Sequence, residues 1–152
     1  MAADSFAPHF EVNTAAVINR PAPGQLDISY PAYRATVYLT ARRLPPERLE
    51  SELDNRRERI SLNLGGVAAY TEHITSDNGQ FECALVTARD AATTPVQFLA
   101  TDGEGCLISG AAYLGDLTPG TSADSIAPVV AALQRDIRHA LHKLSDDSTA
   151  PI

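Results

Sequence analysis

Two hydrophobic spacings alternate along this chain and predict its elements in order. From Gln25 to Tyr30, the apolar Leu26, Ile28 and Tyr30 alternate with Gln25, Asp27 and Ser29, the period of two expected of a half-buried strand. Pro31 ends that run. A second run over 34–41 is rich in β-formers (Thr36, Val37, Tyr38, Leu39, Thr40), and the short gap predicts that the two strands are antiparallel neighbours. The spacing then lengthens. Pro45-Pro46-Glu47 announces a helix, because proline's missing N–H matters least in the first turn and an acid there complements the helix dipole. Leu49, Leu53, Ile60 and Leu64 recur at steps of four and seven, giving one apolar stripe on an otherwise charged helix that stops at Gly65-Gly66.

Four further strands are predicted at 67–75, 80–89, 96–101 and 106–114, with hairpin turns at Asp77-Asn78-Gly79 and Asp102-Gly103-Glu104-Gly105, since glycine and asparagine tolerate the positive φ of tight turns. An antiparallel meander is the simplest arrangement. From Asp124 a long helix follows, with Ile126, Val129, Val130, Leu133, Ile137, Leu141 and Leu144 on one face. Asp124 or Ser125 can cap it, and Pro128 falls within or near its first turn. Residues 1–24, carrying Pro8, Pro21 and Pro23, form an extended lead-in; 25–144 form a single domain; 145–152 form a flexible tail. The order β-β-α-β-β-β-β-α predicts an α+β fold, a largely antiparallel sheet of about six strands packed with two main helices.

Composition narrows what such a domain does. The 152 residues, 44% of them hydrophobic, suffice for one core. Twelve Lys and Arg against nineteen Asp and Glu leave a net charge of −7, which disfavours phosphate backbones, so no nucleic-acid partner is expected. The basic clusters Arg42-Arg43 and Arg56-Arg57 are interleaved with acids and read as solvated, salt-bridged faces. Cys83 and Cys106 lack CxxC or Cys/His spacing and read as reduced, buried small hydrophobes. No apolar run approaches the ~20 residues that span a bilayer. The first residues have neither a basic n-region nor an apolar h-region.

Signatures of catalysis are missing at the level of motif. Gly103, Gly105 and Gly110 miss the GxGxxG spacing and lead into a strand, and there is no P-loop, GxSxG or HExxH. His139 and His142, with Asp136 before them, share a helix face crowded by Arg135, Arg138 and Lys143, which reads as solvated surface rather than a metal site. His9 lies in the lead-in, and His73 beside Glu72 suits a polar strand face. The pairs Glu50 with Asp54 and Asp146 with Asp147 lie on a helix surface and in the tail, where little burial separates carboxylate pKa values. The expectation is a chain with no catalytic residues, no metal and no cofactor.

Several ordered blocks resemble one family. Tyr30-Pro31-Ala32-Tyr33-Arg34-Ala35-Thr36-Val37-Tyr38-Leu39, Thr94-Pro95-Val96-Gln97-Phe98-Leu99-Ala100-Thr101-Asp102, Ile108-Ser109-Gly110-Ala111-Ala112-Tyr113-Leu114, Asp124-Ser125-Ile126-Ala127-Pro128-Val129 and Asp136-Ile137-Arg138-His139 are similar, in order and spacing, to blocks of the GldD gliding-motility lipoproteins. The resemblance spans roughly residues 25–144 and implies a non-catalytic periplasmic lipoprotein of the Bacteroidetes, tied to gliding motility and type IX protein secretion. It implies envelope proteins of that apparatus as partners, and contact with the membrane only through a lipid anchor. With no leader and no cysteine near residue 1, this chain is expected to be the soluble domain of a longer anchored form. The element order also looks like the Mog1/PsbP type of fold. Within the blocks, Gln97, Thr101 and Asp102 are the polar groups whose placement suits a partner or ligand surface, and Asp102 equally suits a turn. The alternative role is a small-ligand-binding domain or hydrolase with a pocket between sheet and helix.

Overall fold

In the computed structural model, which describes residues 8–12, 15–22, 24–31, 34–64, 68–88, 96–114 and 123–146, period-two and helical runs become nine strands and two helices. The strands are β1 (Pro8–His9), β2 (Val17–Asn19), β3 (Gln25–Tyr30), β4 (Ala35–Arg43), β5 (Ala69–Thr75), β6 (Glu82–Ala88), β7 (Val96–Thr101), β8 (Cys106–Leu114) and β9 (Ser145–Asp146). Helix α1 (Pro46–Leu64) lies between β4 and β5, and α2 (Ala123–His142) follows β8. Seven strands form one sheet in the order β2-β3-β4-β8-β7-β6-β5, every neighbour pair antiparallel. The α+β class and the β5–β8 meander therefore stand.

Strand alternation splits this sheet into two unequal faces. Leu26, Ile28, Val37, Leu39, Leu85, Phe98, Ile108 and Ala112 point to one side, where they meet Leu133, Ile137, Ala140 and Leu141 of α2, and Leu144 just past its end, in the main core. The stepping of those α2 residues by three and four keeps one stripe on the sheet. On the other side the core is small: Leu99 and Leu107 of the sheet meet Leu44, Leu49 and Leu53, with Ile60 partly buried against them. Helix α1 thus lies over β7 and β8 and leaves the rest of its face to polar residues.

Both turns carry the chemistry expected of them. Gly103 sits at φ +75°, where a side chain would be strained, and closes the β7–β8 turn. The β5–β6 hairpin docks against the end of α2: the Asp77 N–H donates to the His142 carbonyl at 2.7 Å, and Lys143 Nζ reaches Asp77 at 3.2 Å. An otherwise unpaired helix-terminal carbonyl is satisfied there.

The flanks hold structure that hydrophobic spacing does not predict. Val17–Asn19 of the lead-in pairs with β3 as an edge strand, and Pro8–His9 pairs with Ser145–Asp146 in a two-stranded ribbon. Phe10, beyond that ribbon, stacks on Phe98 with ring centroids 5.6 Å apart. The predicted starts of the 67–75 strand and the end of the 80–89 strand, like residues 147–152 of the tail, lie outside the described residues.

Candidate functional site

The half-covered face beside α1 is where polar chemistry collects. The apolar stripe of α1 runs Leu49, Leu53, then Ile60, and the position between them on that stripe is Arg56. Its side chain is only 18% exposed, and its Nε lacks a hydrogen-bond partner among the described residues. Glu52, one turn back, stands 3.9 Å from that Nε, beyond hydrogen-bonding distance. Burial, then the charge of Arg59, pushes the Arg56 pKa below its ordinary value; Glu52 opposes the shift and Arg42 adds to it.

Arg56 and Arg59 form one wall of a cleft of about 280 Å³ between α1 and strands β4, β7 and β8. The opposite wall carries Tyr38 and Tyr113, diagonal neighbours across β4 and β8 whose rings meet edge to face at 5.4 Å. They are 49% and 38% exposed. Thr40 and Ser109 contribute hydroxyls, 3.3 Å apart. A smaller cleft of about 170 Å³ opens on the far side of α1, bounded by Leu53, His73, Glu82 and Thr101.

The three residues singled out from sequence part company here. Gln97 is 1% exposed, lines the larger cleft and donates from Nε2 to the Ile60 carbonyl at 3.4 Å, tying β7 to α1. Thr101 lines the smaller cleft, and its hydroxyl accepts from the Gly103 N–H at 3.0 Å. Asp102 Oδ1 accepts from the N–H groups of Glu104, Gly105 and Cys106 at 2.8, 3.0 and 2.9 Å, which folds the β7–β8 turn.

That turn has a pH signature. Burial alone would raise the Asp102 pKa, but the donations from Glu104, Cys106 and Gly105 together hold it below the usual carboxylate value. A depressed native pKa means that the stabilisation is complete above the unfolded value of about 4 and is lost as pH falls through the lower native value. Asp102→Ala is expected to destabilise the domain by about 1–3 kcal/mol at neutral pH. Urea midpoints of wild type and Asp102→Asn should converge as the pH drops below about 4; a gap that widens there would contradict this assignment.

Several of the remaining titratable candidates have local partners. His139 pairs with Glu11, and His142 lies 3.7 Å from Asp77. Asp136 accepts from the Tyr30 hydroxyl. Arg138 grips Glu72 of β5, and Asp54 pairs with Arg57 at 3.0 Å. Glu50 is exposed on α1, and His73 is exposed on the wall of the smaller cleft. Cys83 and Cys106 are free and buried, and burial with the Glu82 charge pushes the Cys83 thiol up to about 12, so it stays protonated at neutral pH.

With this geometry in view, comparison with known families is decisive. The profile of the family described as gliding motility lipoprotein GldD matches residues 2–145. The chain belongs to the GldD family. Membership implies involvement in gliding motility and, through the lipoprotein character of the family, anchoring to a membrane. No curated protein matched the chain in sequence. Blocks that resemble GldD sequences supply the sheet side of the cleft: Tyr38 stands on β4, Gln97 on β7, and Ser109, Gly110 and Tyr113 on β8. Arg56 and Arg59 come from the charged helix between blocks. Sequence reading assigned Arg56-Arg57 to a solvated face; this holds for the exposed Arg57, whereas Arg56, one residue back, turns inward along the apolar stripe. The interruption of that stripe by an arginine is the signal that could have found it. No helix among the described residues is long and apolar enough to cross a membrane.

Proposed function

We propose that this GldD-family chain is a non-catalytic, lipid-anchored component on the periplasmic side of the gliding and type IX secretion apparatus, acting by contact with other envelope proteins. The observation that carries this reading is the tyrosine pair. Tyr38 and Tyr113 are large, partly apolar and exposed on the sheet face that α1 leaves open, with guanidinium groups beside them. Tyrosine and arginine are enriched where proteins bury each other's surfaces, because each offers wide contact area with a polar tip.

Deleting the gene in the source bacterium and complementing it tests the role. Surface spreading, or in a non-gliding source the export of type IX cargo, should be lost on deletion and restored by the wild-type gene. Complementation by Tyr38→Ala/Tyr113→Ala should fail although the protein accumulates normally, since removing a central aromatic pair weakens a typical interface by about 2 kcal/mol or more. Normal spreading and export in the deletion strain would overturn the proposal.

A further inference from the structure

Arg56 raises a question that packing does not answer: a cation stands on the buried stripe of a helix, its Nε without a hydrogen-bond partner among the described residues, in a chain of net charge −7. Two more cations stand close to it. Arg59 shares its wall of the cleft, and Arg42, on the face of β4 that α1 covers, is near enough for its charge to be felt at Arg56. Against these, Glu52 offers one carboxylate at 3.9 Å, and neither Arg42 nor Arg59 forms an ion pair among the described residues. Like charges gathered in a half-desolvated place destabilise the fold unless something anionic joins them.

We infer that the cleft between α1 and strands β4, β7 and β8 is a binding site for a carboxylate, with Arg56 and Arg59 as its guanidinium clamp. The donor geometry favours a planar two-oxygen anion. Adjacent N–H groups along one edge of a guanidinium match the two oxygens of a carboxylate, and the Arg56 Nε, with no hydrogen-bond partner among the described residues, is one half of such an edge. The Thr40 and Ser109 hydroxyls offer further hydrogen bonds on the sheet side. Tyr38, Tyr113 and Ile60 supply apolar walls for the body that bears the acid. At about 280 Å³ the space suits a small acid or a single acidic side chain. Overall charge argues the same way, since a molecule of −7 repels a dianion or polyanion more strongly than a single carboxylate. The site does not depend on the tyrosine face docking a protein. A free small acid and an acidic residue of a partner present the same group.

Nuclear magnetic resonance titration of the isotopically labelled chain separates these sources. The probes are butyrate, an acetylated and amidated Ala-Glu-Ala peptide that likewise carries one carboxylate, and inorganic phosphate as the competing anion. At low ionic strength, saturable shifts are expected at the Gln97 side-chain amide and at the backbone amides of Ser109 and Gly110, weakening as salt is raised. Butyrate binding as tightly as the peptide, or more tightly, identifies a small acid; tighter binding of the peptide identifies an acidic segment. Arg56→Gln should weaken the tighter probe by about tenfold or more. Arg59→Gln, at the more exposed of the two positions on that wall, should weaken it less, while Arg57→Gln, at a residue paired with Asp54 outside this cleft, should leave it unchanged. The assignment is overturned by an absence of saturable shifts with both carboxylates, by phosphate binding more tightly than either, or by Arg56→Gln and Arg59→Gln chains that still fold and respond like wild type.

Discussion

Replacing Gly110 with alanine is expected to destabilise the domain by about 3 kcal/mol, the upper end of what one added methyl does in a packed core. Gly110 lies directly opposite Phe98 across β7 and β8. A Cβ there would fall 2.3 Å from Phe98 Cζ, 2.6 Å from its Cε1 and 3.0 Å from the Tyr38 carbonyl oxygen. The ring cannot move aside cheaply, because Phe98 is fully buried and stacked on Phe10. Glycine in mid-strand weakens a sheet, and here the ring laid over it makes good the loss. If this is the cause, Phe98→Leu should relieve the clash, and the double variant should be less destabilised than the sum of the singles by about 1–2 kcal/mol. Urea unfolding of the four proteins checks it; additive single effects would contradict the contact.

The second large effect belongs to α2. Ile137 is fully buried at the centre of the helix stripe, among Leu133, Leu141 and the strand residues of the main core, so Ile137→Ala is expected to cost about 3–4 kcal/mol. That is a large share of the 5–15 kcal/mol that stabilises a typical domain, and the variant should be partly unfolded well below the wild-type melting midpoint. On the other face Ile60→Ala should cost about half as much or less, because Ile60 is only partly buried beside the open cleft. Thermal denaturation of both variants measures the contrast. Equal losses would mean that α1 is held as firmly as α2.

That asymmetry also explains what was readable in the residues. Helix α2 was legible because six apolar side chains, with Leu144 just past its end, keep one period over its length, and β7 and β8 because the Asp102–Gly105 turn marks where the first ends and the second begins. The β1–β9 ribbon was not, since two-residue strands at opposite ends of the chain carry no periodicity. The β4–β8 pairing that joins the two halves of the sheet is equally silent, for register between distant strands is set by tertiary packing. Of the site, Gln97 was found because it is a polar residue among apolar ones in β7, whereas Thr101 and Asp102 turn out to build the adjoining turn. Arg56 was missed because a charge count cannot tell it from Arg57; only its place on the stripe of Leu49, Leu53 and Ile60 does.

The central claim is that the sheet face beside α1, and not the α2 face, is the working surface of this GldD-family chain. Site-specific photo-crosslinking in the source bacterium tests it most directly, with the crosslinking amino acid placed once at Tyr113 and once at Arg135, an exposed position on α2 across the sheet. The expected result is a discrete adduct with an envelope protein from position 113 and none from position 135. Adducts from 135 alone, with none from 113, would contradict the account.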